Sequence, residues 1–267
     1  GALDVTGTIL TVGSEGTGTF TQEAGTTVTA QRVRVASSGT SVGCVYDLVG
    51  GNFVATTETT LGYSPGAEGL LQVRDGTLQT PELYVGDYGQ GRLVQEGGLV
   101  EVATTLYVGR SGSGDYGLSG GTLRTQQTVL GEYSDTCRGA FDQTGGTHAA
   151  TGDVYVGMAG NQSSYSLDGE GSLLSCANLY VGHQTMASFA QSGGEALAAQ
   201  DIHVGHESGG YGTYSLSGGS LSAGGFVFVG STDSTGLLQL GGGTLSCGAG
   251  WLGVSAGSSV SGFGAVE

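Results

Sequence analysis

The chain has 267 residues and a formal net charge of −16, from 23 acidic residues against seven basic ones. This acidity disfavours nucleic acid and anionic lipid as partners, and no run of 18 apolar residues indicates a membrane-spanning helix. The 56 glycines lack the strict three-residue period of collagen, and the alternating valine, leucine and aromatic residues between them argue against disorder.

A repeating unit runs through the chain and is clearest at 201–224, where three short alternating segments are separated by glycine-rich bends. The glycine that closes the first segment recurs about every 24 residues, with one alanine in its place. These marker positions are Gly13, Ala36, Gly62, Gly86, Gly109, Gly131, Gly157, Gly182, Gly205, Gly230 and Gly253. Self-similarity at this period predicts a solenoid of about eleven coils.

The first segment of each coil is a predicted strand whose core residues lie one and three positions before the marker, as Leu83 and Val85 do. The residue between them points outward and is aromatic in most coils. We predict an exposed aromatic stripe of Tyr84, Tyr107, Tyr155, Tyr180, His203, Phe228 and Trp251. Such a stripe is typical of a strand surface, of a protein contact or of a platform for stacking carbohydrate.

The second and third segments are also predicted strands. The second has an inward column that is mostly aromatic, from Phe20 to Tyr214, and a glutamine or an aliphatic residue follows two positions later. The third points residues such as Phe53 and Leu123 inward. His148 falls in this last column, and without a second ligand beside it we interpret it as a hydrogen-bonded interior histidine.

Three inward faces per coil predict an all-β fold, a parallel β-solenoid or β-helix with three short strands per coil. We expect it to be right-handed, because parallel crossover connections almost always are. Eleven coils spaced by the distance between strands give a rod about 50 Å long.

Neither end of the sequence carries a recognisable cap, so we expect 1–267 to be a single solenoid domain, uncapped at both ends. We expect upstream sequence with an export signal, and coils of a longer array could supply the caps instead. The predicted assembly interface consists of Gly1, Ala2, Leu3, Val5, Ile9, Val260, Phe263 and Val266. Head-to-tail stacking of partial terminal coils would produce a filament.

Four cysteines occur, at 44, 137, 176 and 247. Coil spacing separates Cys44 from Cys137 and Cys176 from Cys247 by more than a disulfide can span. A bridge between Cys137 and Cys176 stays open, as do free thiols and bridges between molecules. No catalytic set converges by column, so we expect no enzymatic activity, cofactor or metal. Asn161 begins a possible N-glycosylation sequon.

The sequences at 179–182, Leu-Tyr-Val-Gly, and at 212–221, Gly-Thr-Tyr-Ser-Leu-Ser-Gly-Gly-Ser-Leu, resemble repeats of exported bacterial β-solenoid proteins, including autotransporter passenger-type repeats. The resemblance implies an extracellular or cell-surface location and a structural role. Our first hypothesis is a fibre subunit that binds further copies of itself, the second a glycan-binding adhesin stalk, and the third a polysaccharide-degrading β-helix enzyme. Such families share a scaffold rather than a site, so no functional residue transfers.

Overall fold

A computed structural model describes residues 1–133, 136–160, 162–248 and 250–266. The asparagine of the sequon therefore lies outside the described residues. The structure confirms an all-β parallel solenoid of about eleven coils, spaced by about 24 residues per turn. Nowhere in the described ranges is there a helix of the length and hydropathy needed to cross a bilayer.

Twenty-seven strands are found among the described residues. The first nine are β1 (Ala2–Val12), β2 (Thr19–Gln22), β3 (Thr27–Val35), β4 (Cys44–Leu48), β5 (Asn52–Leu61), β6 (Glu68–Val73), β7 (Thr77–Thr80), β8 (Glu82–Val85) and β9 (Gln90–Gln95). The next nine are β10 (Leu99–Val108), β11 (Ser113–Leu118), β12 (Thr122–Leu130), β13 (Arg138–Gln143), β14 (Thr147–Ala150), β15 (Val154–Val156), β16 (Ser163–Leu167), β17 (Leu173–Cys176) and β18 (Leu179–Val181). The last nine are β19 (Met186–Gln191), β20 (Glu195–Ala198), β21 (Ile202–Val204), β22 (Tyr211–Leu216), β23 (Ser220–Ala223), β24 (Val227–Val229), β25 (Thr235–Cys247), β26 (Leu252–Val254) and β27 (Ser259–Val266).

The strands pair in parallel with the equivalent strand of the next coil, so that like positions stack. Tyr84 of β8 lies opposite Tyr107 of β10, for example, and Tyr116 of β11 lies opposite Phe141 of β13. This register converts the sequence columns into physical columns along the solenoid.

The three predicted strands per coil are present, although some are fused. In β1, β3, β5, β10 and β12 the third strand of one coil continues into the first strand of the next. β25 instead joins a second strand to a third. From β14 onward the third and first strands are separate up to β24.

The core fills the inside of the coils with the predicted columns. In the third-strand column, Val28, Phe53, Leu78, Val100 and Leu123 are all buried. His148 follows in the same column and is fully buried, as predicted. Alternation along each strand leaves the residues between these on the outside.

The marker positions form a sharp corner that requires left-handed backbone. Gly86 has φ +80°, and a Cβ there would collide with the carbonyl oxygen of Ser113 in the next coil. Ala36 occupies the same corner with φ 64°, a conformation that L-residues with a Cβ rarely adopt. The recurrence of glycine is therefore a consequence of corner geometry.

Candidate functional site

The predicted aromatic stripe lies in one column on the outer side of the first strands. Register pairs join Tyr155 to Tyr180, Tyr180 to His203 and His203 to Phe228. Tyr84 and Tyr107 form a separate pair, and Val129 stands between that pair and Tyr155. The stripe is therefore two aromatic runs with one aliphatic interruption.

Trp251 is not in register with the stripe, contrary to the prediction. Phe228 lies opposite Gly253, and Val229 lies opposite Val254. The residue at the marker position after β26 is therefore Ser255 and not Gly253. The indole of Trp251 nevertheless folds over Gly253, where an added Cβ would lie 2.6 Å from its ring. It packs edge-on against Phe228, with ring centroids 5.6 Å apart. The absence of a side chain at Gly253 therefore leaves room for the indole of Trp251.

The rings of the stripe stack face to face along the solenoid. Centroid separations are 5.1 Å for Tyr84 and Tyr107, 4.7 Å for Tyr155 and Tyr180, and 4.8 Å for His203 and Phe228. The interplanar angles of these three pairs lie between 3° and 12°. A ring with a neighbour on both sides therefore has both faces covered and exposes mainly its edge to solvent.

The predicted exposure of the stripe is wrong for most of its members. Tyr84 is buried, with 8% of its surface accessible, while Tyr107, Tyr155, Tyr180, His203 and Phe228 are half-buried. Only Trp251 is exposed, at 52%. The physical reason is a flanking row of side chains that follows the marker positions and lies against the ring edges.

In the N-terminal half this flanking row is charged. The Arg110 guanidinium lies 5.0 Å from the ring centroid of Tyr84 and 5.7 Å from that of Tyr107. It also pairs with Asp87 and Glu132, each at 3.3 Å. Burial raises the pKa of both carboxyl groups, and Arg110 opposes that rise. The result is a partly buried ion-pair network that covers the first aromatic run.

In the C-terminal half the flanking row is histidine. The His183 ring meets Tyr155 and Tyr180 edge-on, with centroids 5.2 and 5.4 Å away. The His206 ring meets His203 edge-on at 4.5 Å. Burial lowers the pKa of His183, although Glu207 and the Met158 backbone oppose the change, and burial lowers the pKa of His203 to about 4. Because both pKa values lie below the ordinary value, His183 and His203 are neutral at pH 7.

The sequence columns do not by themselves reveal this histidine group. His183 and His206 each follow a marker glycine directly, in consecutive coils. That repetition was the available signal, and it becomes meaningful only when the outer face of the corner is compared from coil to coil.

The two ends of the described solenoid present exposed apolar side chains, of which Leu3 and Val266 belong to the interior third-strand column. Leu3 is 37% exposed and Ile9 is 41% exposed at one end, and Phe263 is 75% and Val266 is 53% exposed at the other. Of the remaining predicted interface residues, Gly1 and Ala2 are exposed, while Val5 and Val260 are half-buried. Within the described residues β1 pairs only with β3, and β27 only with β25.

The interior holds a set of buried polar pairs that the columns alone do not predict. Each pair joins a tyrosine of one second strand to a glutamine of the preceding coil, and the hydroxyl donates to the glutamine Oε1. The pairs are Tyr46 with Gln22, Tyr116 with Gln95, Tyr165 with Gln143 and Tyr214 with Gln191, at 2.5 to 2.7 Å. The glutamine amide groups donate to backbone carbonyls, as Gln191 does to Ser220, so the buried groups are satisfied.

The four cysteines are all buried. The Cys44 thiol donates to the Gly16 carbonyl at 3.4 Å, and the Cys176 thiol donates to the Leu197 carbonyl at 3.7 Å. Burial raises the pKa of Cys176 to about 12, which suppresses the reactive thiolate. A bridge between molecules would therefore require local opening of the coil.

Comparison with known proteins gives no relative: no family model, no curated protein and no solved structure matches the chain.

Proposed function

We propose that the protein is a structural, fibre-forming subunit whose solenoid ends stack on the ends of further copies. One observation carries the proposal: both ends present the same interior column to solvent. Leu3 and Val266 are the first and last described members of the third-strand column. Every described residue between them in that column is at most 3% exposed.

The strand register supports stacking as successive rungs. Ala2 lies opposite Thr27 and Ala265 lies opposite Thr244, which are equivalent third-strand positions. The two ends thus both contain a third strand, and a second copy would place its Ala2 above Ala265 rather than share one rung with it. The third strands of the two copies then pair in parallel, as third strands do inside the molecule.

The energy available is of the right order for association. Complete burial of a leucine, isoleucine, valine or phenylalanine contributes about 1.5 to 3 kcal/mol, and Leu3, Ile9, Phe263 and Val266 are partly exposed. Association costs about 4 to 15 kcal/mol in lost freedom. The apolar term alone falls near the lower part of that range, so the hydrogen bonds of the newly paired strands are needed for a stable contact.

The contact is heterologous, because one end meets the opposite end of the next copy. A heterologous contact with no closing rotation generates an open filament. We place this filament outside the cell, in keeping with the resemblance to exported bacterial solenoids. The net charge of −16 supports the solubility of such an extended surface.

A second candidate function is glycan binding, which one observation favours at a narrower place than the whole stripe. Trp251 is 52% and Phe226 is 40% exposed, and their rings meet edge-on at 5.7 Å. Sugars stack on ring faces, and the faces of Tyr155 and Tyr180 cover one another. On this alternative, Trp251→Ser abolishes binding on a glycan array, whereas Tyr155→Ser weakens it little.

The filament proposal is tested by electron microscopy and sedimentation of the purified chain over a range of concentrations. We expect rods that lengthen with concentration by whole subunits. Val266→Glu should shorten them, because the carboxylate would be desolvated at the contact. Val42→Glu is the matched control, since Val42 has a similar exposure of 45% but lies away from the two ends.

Deletion of 1–12 should also stop elongation and leave a folded rod, as judged by circular dichroism. Monodisperse single rods at high concentration would sink the proposal, and they would favour caps formed by neighbouring coils of a longer chain. Equal effects of the substitutions at 266 and 42 would show that association is lateral.

A further inference from the structure

A group of potential metal ligands lies on the outer corner of two adjacent coils. His183 and His206 occupy the position after the marker glycine, and Glu207 follows His206 directly. One ligand atom from each of the three lies within 4.8 Å of the other two. Among the described residues, it is the one group of at least three histidine, cysteine or acidic side chains whose ligand atoms lie this close together.

The backbone fixes these residues on neighbouring rungs. The amide of His183 donates to the Gly157 carbonyl at 3.0 Å, and the amide of His206 donates to the Gly182 carbonyl at 3.1 Å. The amide of Glu207 donates to the His183 carbonyl at 2.7 Å. The ladder thus sets the spacing of the two imidazoles, and only side-chain rotation is needed to converge the ligands.

The side chains are already partly positioned. His183 Nε2 lies 3.7 Å from Glu207 Oε1, which is slightly more than the edge of a coordination tetrahedron built from bonds of about 2.0 to 2.2 Å. Glu207 Oε2 accepts a hydrogen bond of 2.8 Å from Gln184 Nε2. A hydrogen bond of this kind, from a residue that does not itself bind the metal, orients a metal-binding carboxylate.

The imidazoles have unsatisfied polar atoms in a buried setting. The Nδ1 atoms of His183 and His206 are both buried, and neither has a hydrogen-bond partner of ordinary geometry. His183 as a whole is 8% exposed. Buried polar atoms without well-formed hydrogen bonds are uncommon in folded proteins. The Met158 backbone is near enough to His183 to oppose the lowering of its pKa, but neither ring has a partner of ordinary geometry at Nδ1.

We propose that His183, His206 and Glu207 bind one divalent transition-metal ion, with Zn²⁺ as the best match. Two imidazoles and one carboxylate are a ligand set that Zn²⁺ accepts in tetrahedral geometry, and water fills the remaining position. Glu207 is half exposed to solvent, so this position faces outward. The ion clamps two successive coils together on the surface of the solenoid.

The simpler account of the same residues is packing alone. His183 makes edge-on contacts with Tyr155 and Tyr180, and a protonated His183 would pair with Glu207 without any ion. This account predicts no affinity for Zn²⁺ beyond that of scattered surface carboxylates. The two accounts therefore differ in stoichiometry, affinity and dependence on single residues.

The test is isothermal titration of the whole metal-free chain with Zn²⁺ at pH 7.5 in a buffer that does not bind the ion. We expect one site per chain with a Kd of about 10 µM or tighter. His183→Phe, His206→Phe and Glu207→Gln should each weaken it at least tenfold. His203→Phe is the matched control, because the same substitution changes a neighbouring ring that stacks between Tyr180 and Phe228 and is outside the ligand group.

Two further readouts use the unaltered protein, so misfolding of a variant cannot obscure the result. Zn²⁺ at about 100 µM should raise the thermal unfolding midpoint by at least about 3 °C. Co²⁺ should change from the spectrum of its hydrated ion to that of a four-coordinate centre. Weak binding at several sites, unchanged binding in all three ligand variants, or a Co²⁺ spectrum that stays that of the hydrated ion would overturn the proposal.

Discussion

The inner and outer faces of the solenoid each carry a stack of aromatic rings, built by the same register. The inner stack consists of Tyr116, Phe141, Tyr165, Phe189 and Tyr214, with centroid separations of 4.6 to 4.7 Å. In the longer outer run, Tyr155, Tyr180, His203 and Phe228 are separated by 4.7 to 4.8 Å. Parallel in-register pairing therefore sets ring spacing on both faces.

The two stacks differ in where their hydroxyl groups reach. In the inner stack the hydroxyl of Tyr165 donates to Gln143, 22 residues away in the preceding coil. In the outer stripe Tyr155 donates to Asp153, two residues away on its own chain segment. The inner hydroxyl groups link coils, whereas the outer ones make local contacts. Stacking alone thus does not decide what a ring contributes; its polar partner and its burial do.

Removing one ring from each stack is the strongest test of how much the two stacks differ in their contribution to stability. Phe141→Ala should lower the free energy of unfolding by about 3 to 5 kcal/mol, because it empties a fully buried site between two tyrosines. Tyr180→Ala should cost about 1 to 2 kcal/mol, because its ring is half-buried. Urea unfolding followed by circular dichroism measures both, and equal losses would show that the outer stripe is as important to folding as the core.

The buried histidine next to the inner stack provides a pH-dependent test. Burial lowers the pKa of His148 to about 3, below its ordinary value of 6.5. The ring stays neutral, with Nδ1 3.1 Å from the Tyr165 oxygen and Nε2 3.0 Å from the Thr128 oxygen. Because the Tyr165 hydroxyl already donates to Gln143, we assign the ring proton to Nδ1, so that Nε2 accepts from Thr128. Between pH 6.5 and 3 the unfolded chain binds the extra proton, so stability falls as pH falls.

The expected loss from this group is about 1.4 kcal/mol per pH unit across that window, and none of it appears above pH 7. His148→Leu serves as the reference, because leucine occupies the same column in the coils on either side, at 123 and 174. From pH 7 to pH 4, the unfolding free energy of the native protein should therefore fall relative to that of the His148→Leu variant. A parallel pH dependence for both proteins would contradict the assignment.

A smaller effect separates the hydroxyl groups. Tyr165→Phe should cost about 1 to 3 kcal/mol, since it leaves Gln143 and His148 without a buried partner. Tyr155→Phe should cost less than about 0.5 kcal/mol, because Asp153 can turn to water. In the double variant Tyr165→Phe/Gln143→Leu, the loss of unfolding free energy should be less than the sum of the two single losses. Strict additivity would rule out coupling between the coils.

Much of this arrangement follows from the spacing of small and apolar residues. The marker glycines predict the corners because the backbone there must be left-handed, and Ala36 still keeps φ 64°. The core columns follow from alternation within each strand. The Tyr–Gln pairs are harder to predict, because the hydrogen bond joins different columns of adjacent coils and depends on how long side chains reach through the interior.

The last coil shows why local resemblance can mislead. Trp-Leu-Gly at 251–253 resembles the Tyr-Val-Gly of other coils, which suggests Gly253 as the marker. The structure instead places Leu252 and Val254 opposite Val227 and Val229. Five positions separate Cys247 from Leu252, against four between the equivalent residues Ala223 and Val227. This longer connection moves Gly253 away from the marker position. The exposure of the stripe was mispredicted for a related reason, because the flanking row belongs to another part of the coil.

The direction of the strand-to-strand hydrogen bonds has a mechanical consequence. These bonds join each coil to the next along the solenoid axis, so tension between the two ends would break the bonds of a terminal rung one after another and peel that rung away. Each released coil of about 24 residues adds about 80 Å of extended chain. A pulled molecule would therefore yield in similar, repeated steps, which gives the rod a built-in capacity to absorb strain before it ruptures.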